Sequence, residues 1–299
     1  MKSGAVAVVG RANAGKSTLI NVIVGEKVSI VSPKPQTTRD RILAVYNEDD
    51  CQIVFQDTPG VYKASSLLNE RMQKATDNAS KDVDLILLLI DAHDGLKDED
   101  KSLVERFASR KIPLIVAFTK TDIMQESTLL SAIASLGELP ESVCDVTSVC
   151  ARTGKNVKKL VKLIKDKLPE GEPLIQEDII SDKSEKFMIS EIMREKILLK
   201  YDKEIPHGVA IVINEFSRRD NGSYYVNLDI VCEKQNHKAI LIGKQGAKIK
   251  EISSFARSDM EKFLGKKVFL TTYIKVEEDW RNSTRFIKEL GYGAEDNFS

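Results

Sequence analysis

The sequence predicts an α/β fold, a mostly parallel sheet with helices on both faces, followed by a smaller α+β domain. Three observations carry this prediction. Short β-rich apolar runs recur through the first 150 residues and alternate with helical patterns of about 10–20 residues. The pattern breaks at "LPEGEPL", residues 168–174, where two prolines and a glycine follow a Lys-rich helix end. Beyond that break the order changes to helix, strand, strand, helix, helix, strand.

The strand candidates are "AVAVVG" (5–10), "QIVFQD" (52–57), "DLILLLID" (84–91), "PLIVAFT" (113–119) and "SVCDVTSV" (142–149). Segments such as "AGKSTLINVIVG" and "NVKKLVKLIKDKL" between them have helical periodicity. Such alternation argues for parallel strands buried on both faces. "RILAVY" (41–46) adds a strand that pairs with 52–57 across the turn "NEDD". We place the first domain at 1–170, a linker at 171–182 and the second domain at 183–299. In the second, a helix over about 184–201 leads to strands "GVAIVINEF" and "YYVNLDIVCE", joined by a hairpin turn at Asp220, Asn221 and Gly222. Two short helices flank "GKQG", and "KKVFLTTYIKV" is the last strand. The tail from about 277 reads as partly helical and then frayed.

Length and composition set the outer limits. A chain of 299 residues supports two domains with real cores. Lys+Arg and Asp+Glu both number 45, so the whole chain advertises no polyanion partner. Locally, residues 200–275 hold 14 Lys and Arg against 9 Asp and Glu, a modest basic excess. The four cysteines form no Cys-x-x-Cys pair, which argues against a disulfide framework or zinc site and for a reducing compartment. No apolar run approaches the ~18 residues of a membrane span. "MKSGAVAVVG" lacks a signal-peptide core, so a cytoplasmic protein is expected.

"GRANAGKS", residues 10–17, fits G-x-x-x-x-G-K-[ST] and sits between a strand and a helix. Glycines let the backbone curl so that N–H groups along Asn13, Ala14, Gly15, Lys16, Ser17 and Thr18 face phosphates. The helix adds its positive N-terminal end. Lys16 would reach the β- and γ-phosphates, and Ser17 would bring a hydroxyl to Mg²⁺. In "QDTPG" (56–60), Asp57 would hold Mg²⁺ through water and Gly60 would offer its N–H to the γ-phosphate. The polar loop "SPKPQTTRD" carries Thr38, and alternatively Thr37, whose hydroxyl can sense the metal only when γ-phosphate is present. "TKTD" (119–122) ends a core strand. Asp122 is placed to accept guanine N1 and N2 protons, and Lys120 to lay its stem along the base.

The ordered set "GRANAGKS", "PQTTR", "DTPG", "TKTD" and "VCARTGKNV" resembles the translation-factor-like small GTPases. With the second domain the resemblance narrows to the Era family and covers residue 4 to about 292. It implies a P-loop, Ras-like GTPase domain followed by a type II KH domain, with GTP/GDP and Mg²⁺ as ligands. Lys16, Thr38 and Asn13 are the catalytic candidates; Asn13 matches an asparagine that coordinates a stimulating K⁺ in related GTPases. Ser17, Thr38 and Asp57 are the metal candidates. The base motif is usually Asn-Lys-x-Asp, so Thr119 is a departure. It is expected to weaken or re-route the tie between base loop and P-loop while Asp122 keeps the guanine preference. Cys150 stands where serine is usual, and the N–H of Ala151 would meet guanine O6. Val61 occupies the position of the water-orienting glutamine, which implies slow intrinsic turnover.

In "ILIGKQGAKIKEI" (240–252), Gly243 and Gly246 make a G-x-x-G loop between two helical patterns. Such a loop clamps about four nucleotides of single-stranded RNA. Ile242, Gly243, Lys244, Gln245, Gly246 and Lys248, one turn into the next helix, are its RNA-binding candidates. The resemblance implies binding near the 3′ end of 16S ribosomal RNA and a role in small-subunit maturation. It further implies a monomer, with a peripheral membrane contact as a further candidate interaction. Two other classes stand beside the GTP switch: an RNA-binding protein with negligible hydrolysis, and an RNA-dependent ATPase. Val61 keeps the first open, whereas Asp122 disfavours the second.

Overall fold

The structure is a computed structural model that describes residues 1–61, 66–202, 205–290 and 292. It divides into two compact units. The first holds most of residues 1–182; the second holds most of the remainder and also takes in Ser32–Thr37 and residues up to Arg71.

The first unit contains β1 (Lys2–Gly10), α1 (Lys16–Val24), β2 (Ile42–Glu48), β3 (Cys51–Asp57) and α2 (Leu67–Ala79), whose first residues belong to the second unit. It continues with β4 (Leu85–Asp91), α3 (Asp98–Ala108), β5 (Leu114–Thr119), α4 (Glu126–Ala134), β6 (Val143–Ser148) and α5 (Val157–Lys167). The sheet order is β2-β3-β1-β4-β5-β6. All pairs are parallel except β2 with β3, the hairpin across "NEDD". Every residue of β3, β4 and β5 is buried, as expected of strands covered on both faces. Alternation in β1 divides the core. Val6 and Val8 face the α1 and α5 side with Leu19 and Ile164, while Ala7 and Val9 face the α3 side with Phe107. The apolar positions of α5 (Val157, Leu160, Val161, Ile164) follow the i, i+3, i+4, i+7 spacing of one helix face.

Residues 171–182, read from sequence as a linker, are tied along the edge of this sheet. The Val45 N–H donates to Ile180 O at 2.9 Å. Gln52 donates to Ile175 O at 2.7 Å and accepts from Leu174 N–H at 2.7 Å. The Val45 bond occupies a backbone group of the edge strand β2 that would otherwise be open to another strand.

The second unit contains α6 (Glu185–Lys200), β7 (Val209–Arg218), β8 (Tyr224–Cys232), α7 (Gln235–Ile242), α8 (Ala247–Leu264), β9 (Val268–Val276) and α9 (Thr284–Glu289). Its sheet runs β7-β8-β9, antiparallel and then parallel. Ser184 caps α6 by accepting from Phe187 N–H. The hairpin closes through Gly222, at φ 79°, whose N–H donates to Arg219 O at 2.8 Å. The helices cover one sheet face through a core that includes Ile192, Met193, Val226, Leu228, Ile252 and Met260. One sequence expectation fails: the helix after "GKQG" is not short but spans 18 residues. Ile249, Ile252, Ala256 and Met260 recur at helical spacing and keep it on the core until Gly265 ends it. In the tail, Trp280 is fully buried and donates to Gly208 O at 3.0 Å, and α9 follows. The expected fraying at the end lies outside the described residues. No helix among the described residues is long and apolar enough to cross a membrane.

Candidate functional site

The loop between β1 and α1 needs its glycines for different reasons. A Cβ on Gly10 would lie 2.4 Å from Leu89 O, so the strand end admits no side chain. Gly15, at φ 88°, turns the chain into α1, and Asn13 shares the left-handed region at φ 63°. Lys16 is buried, and its ammonium donates to the carbonyls of Gly10 (3.2 Å) and Arg11 (3.0 Å). Burial pushes its pKa down to about 8, while the Asp57 carboxylate pulls in the opposite direction. Gly60 packs so closely on this loop that a Cβ there would stand 2.7 Å from Ala12 Cα. The N–H of Val61 donates to Gly10 O at 3.2 Å.

Beside Lys16, three side chains converge from separate elements. Ser17 Oγ donates to Asp57 Oδ2 at 2.7 Å and lies 2.9 Å from Thr38 Oγ1. Asp57 is fully buried at the end of β3; burial raises its pKa above the ordinary carboxylate value, opposed by the Ser17 hydrogen bond. Its second oxygen, Oδ1, is buried with no hydrogen-bond partner. A buried carboxylate oxygen of this kind calls for a cation or its water. Two hydroxyls and one carboxylate are a hard-oxygen set suited to Mg²⁺ that retains water and phosphate ligands. Of the two threonines, the structure places Thr38 in this cluster. The Thr37 hydroxyl instead donates to Lys34 O at 2.6 Å.

Across the loop lies a pocket of about 310 Å³, within the range that takes a small ligand. Gly15 and Thr18 form one side, and Thr119, Lys120, Asp122 and Ala151 contribute to the other. Lys120 adopts φ 57°, and its ammonium pairs with Asp91 at 2.5 Å. The Thr119 hydroxyl is buried 2.8 Å from Ala14 O and 3.3 Å from Ile90 O. The tie from base loop to P-loop is therefore present, made by a hydroxyl. The Cys150 thiol donates to Asp122 Oδ1 at 3.0 Å, so the side chain at this position takes part in orienting the carboxylate. That bond and the Arg152 guanidinium hold the Asp122 carboxyl below its usual range.

In the second unit, α7 ends at Gly243 (φ 71°) and α8 begins after Gly246 (φ 76°). A Cβ on Gly243 would meet Lys248 Cγ at 2.7 Å. Lys248 is the second residue of α8, in its first turn, with its ammonium 5.4 Å from the centre of the Tyr201 ring. Lys244 and Gln245 project from the exposed turn, and Ile242 is half-buried at the end of α7.

Three functional candidates escaped the sequence. Asp91 holds Lys120, and Arg152 pairs with Asp122. Arg194 on α6 is fully buried, bound to Glu191 and donating to the carbonyls of Gln36 and Thr37 within the same unit. A signal existed for Arg152, three residues into "VCARTGKNV", but charged residues in helices and loops ordinarily read as solvated.

A phosphate loop before a helix, an aspartate at the end of β3, a Lys-x-Asp base pocket at the end of β5 and a separate G-x-x-G module define a P-loop GTPase of Ras-like fold carrying a KH domain. Comparison with known proteins agrees. A family model described as a 50S ribosome-binding GTPase matches residues 5–120, and a KH domain model matches 204–281. GTPase Era of Clostridium kluyveri is 43% identical over 98% of this chain and 99% of its own length, and GTPase Era of Clostridium botulinum is 42% identical over 97% and 98%. Among solved structures, Era of Aquifex aeolicus bound to GDP and AlF4⁻ superposes with a TM-score of 0.94 at 36% identity, covering 98% of this chain and 100% of that one. Era in complex with MgGDPNP and nucleotides 1506–1542 of 16S ribosomal RNA also gives 0.94, at 37% identity and the same coverage. The chain belongs to the Era family of GTPases.

Proposed function

We propose that this GTPase binds GTP with Mg²⁺ at the β1–α1 loop and base pocket, and binds the 3′ region of 16S ribosomal RNA through its KH domain during small-subunit maturation. The observation that carries the nucleotide half is the Ser17–Thr38–Asp57 cluster with its orphaned Asp57 oxygen beside buried Lys16. Mg²⁺ bound there would neutralise phosphate charge. Lys16 holds the β- and γ-phosphates, Gly60 offers its N–H, and Asp122 accepts from guanine once Arg152 moves aside. Asn13 is the candidate K⁺ ligand, and turnover that differs between K⁺ and Na⁺ is the expected result. Val61 supplies no group to orient water, so intrinsic turnover is slow.

What supports the small-subunit reading is the Era relative bound to nucleotides 1506–1542 of 16S ribosomal RNA; the family model whose description names the 50S ribosome covers residues 5–120 and leaves the KH domain out. Nucleotide state reaches α6 along the chain: Thr38 joins the metal cluster, and the carbonyl of Thr37 next to it is held by Arg194. We place the protein in the cytoplasm, as a monomer. The test measures RNA binding with GDP, GTP and a non-hydrolysable analogue, alongside competition for labelled GDP. GTP should displace GDP and ATP should not, and RNA affinity should change with nucleotide. Equal displacement by ATP would overturn the guanine reading, and RNA affinity indifferent to nucleotide would overturn the switch.

A further inference from the structure

The three-stranded sheet of the second unit has two faces, and the helices that carry the G-x-x-G loop cover only one. On β9, Val268, Leu270 and Ile274 pack toward the helices. The alternate residues Phe269, Thr271, Tyr273 and Lys275 therefore point to the opposite face. Phe269 and Tyr273 are 50% and 56% exposed there, unusual for aromatic rings in a small domain. They are four residues apart on one strand, so their rings stand on one side of the sheet about 13 Å apart along it, with Thr271 between them. Phe269 lies opposite Tyr225 on β8, and the Arg219 guanidinium covers both rings, 4.5 Å from the centre of the first and 5.0 Å from the second. Beside Phe269 a shallow cleft of about 550 Å³ runs between the hairpin turn and the end of α8. Lys266 and Lys267 line it, against the single carboxylate of Glu261.

We propose that the exposed part of this face, around Phe269 and Tyr273, is a second single-stranded RNA platform, distinct from the G-x-x-G loop; further along β8, Asp229 and Val231 on the same side are buried. Exposed rings spaced along a strand, an arginine plane stacked on one of them and flanking lysines are the chemistry that takes unstacked bases and their phosphates. One base stacks on Tyr273 and a second, further along the strand, on the Arg219–Phe269 pair, while Lys266 and Lys267 meet the backbone. The inference rests on the RNA-binding reading above and extends it from about four nucleotides in the loop to a longer strand.

The experiment uses the full chain with a GTP analogue and two RNAs from the 3′ region of 16S ribosomal RNA, one of about six nucleotides and one of about twenty, sized against the four that the loop holds. Removing both rings, Phe269→Ala with Tyr273→Ala, should weaken the longer RNA by about tenfold or more and leave the shorter one unchanged. Both positions are exposed, so the melting temperature should stay at the wild-type value, which separates lost contact from lost fold. A Tyr273→Trp variant should show fluorescence quenched by the longer RNA, whereas the buried Trp280 of the parent should not respond. Unchanged affinity for the longer RNA in the double variant overturns the platform and leaves the KH reading standing. Failure of the wild type to bind either RNA overturns both.

Discussion

The two glycine loops of this protein solve opposite problems with the same backbone device. Each places a glycine at the N-terminal end of a helix, Gly15 before α1 and Gly246 before α8. Around the first, the lysine is buried, braced by two carbonyls, and its proton is loosened by desolvation. Around the second, Lys244 and Lys248 are exposed. A small, highly charged ligand can be enclosed, and enclosure strengthens each contact because the local dielectric is low. A polymer that continues in both directions needs an open groove, where affinity comes from many screened contacts. The difference lies in what surrounds each loop.

The sharpest way to break the comparison is Lys16→Met. It removes the one enclosed cation from the phosphate loop. GDP affinity should fall by about 30-fold or more, corresponding to ~2–5 kcal/mol, while RNA binding by the nucleotide-free protein stays intact; calorimetric titration of both ligands reads this. Next comes Gly243→Asp, where φ of 71° and a Cβ contact of 2.7 Å both oppose a side chain. A local cost of ~1–3 kcal/mol and a new negative charge should cut RNA affinity about tenfold or more without altering GDP affinity.

A pH series separates the loops further. Free Lys16 is protonated below about 8 and loses its proton above it. Phosphate favours the charged form, so GDP affinity should be level below pH 8 and fall as pH rises beyond it, with a proton taken up on binding. Titration in buffers of different ionisation enthalpy measures that proton directly; its absence above pH 8 would mean that Lys16 is not the phosphate contact. The smallest effect is expected from Thr119→Asn. Its hydroxyl already reaches Ala14 O at 2.8 Å, so an amide should raise GDP affinity by only a few-fold, about the worth of one hydrogen bond, and leave guanine over adenine preference unchanged. A switch in base preference would contradict the role of Asp122.

Much of the fold was legible because its signals are local. Continuous apolar runs at 84–91 and 113–119 are the strands buried on both faces, and the apolar spacing of 157–164 is one helix face. The phosphate loop, the aspartate of "DTPG" and the Lys-x-Asp pair were legible for the same reason: each is a contiguous string whose chemistry does not depend on distant residues. The length of α8 was misjudged because Ser253, Ser254 and the charged run around Asp259 interrupt its apolar pattern, while Ala256, Met260 and Leu264 hold the helix on the core.

By itself the sequence determined the two domain types, the order of their elements and the candidate residues for phosphate, base and RNA. Only the tertiary structure decided between Thr38 and Thr37, because the choice depends on which hydroxyl comes within 2.9 Å of Ser17, a neighbour 21 positions away. It alone turned the stretch 171–182 from a linker into an edge partner of β2, and joined Ser32–Thr37 to the second unit. It alone revealed Arg194 as a buried cation with a carboxylate and two carbonyls as partners. Periodicity reports which side of an element is apolar. Whether a charge is buried, and what satisfies it, depends on contacts between segments far apart in the chain, and those exist only once the chain has folded.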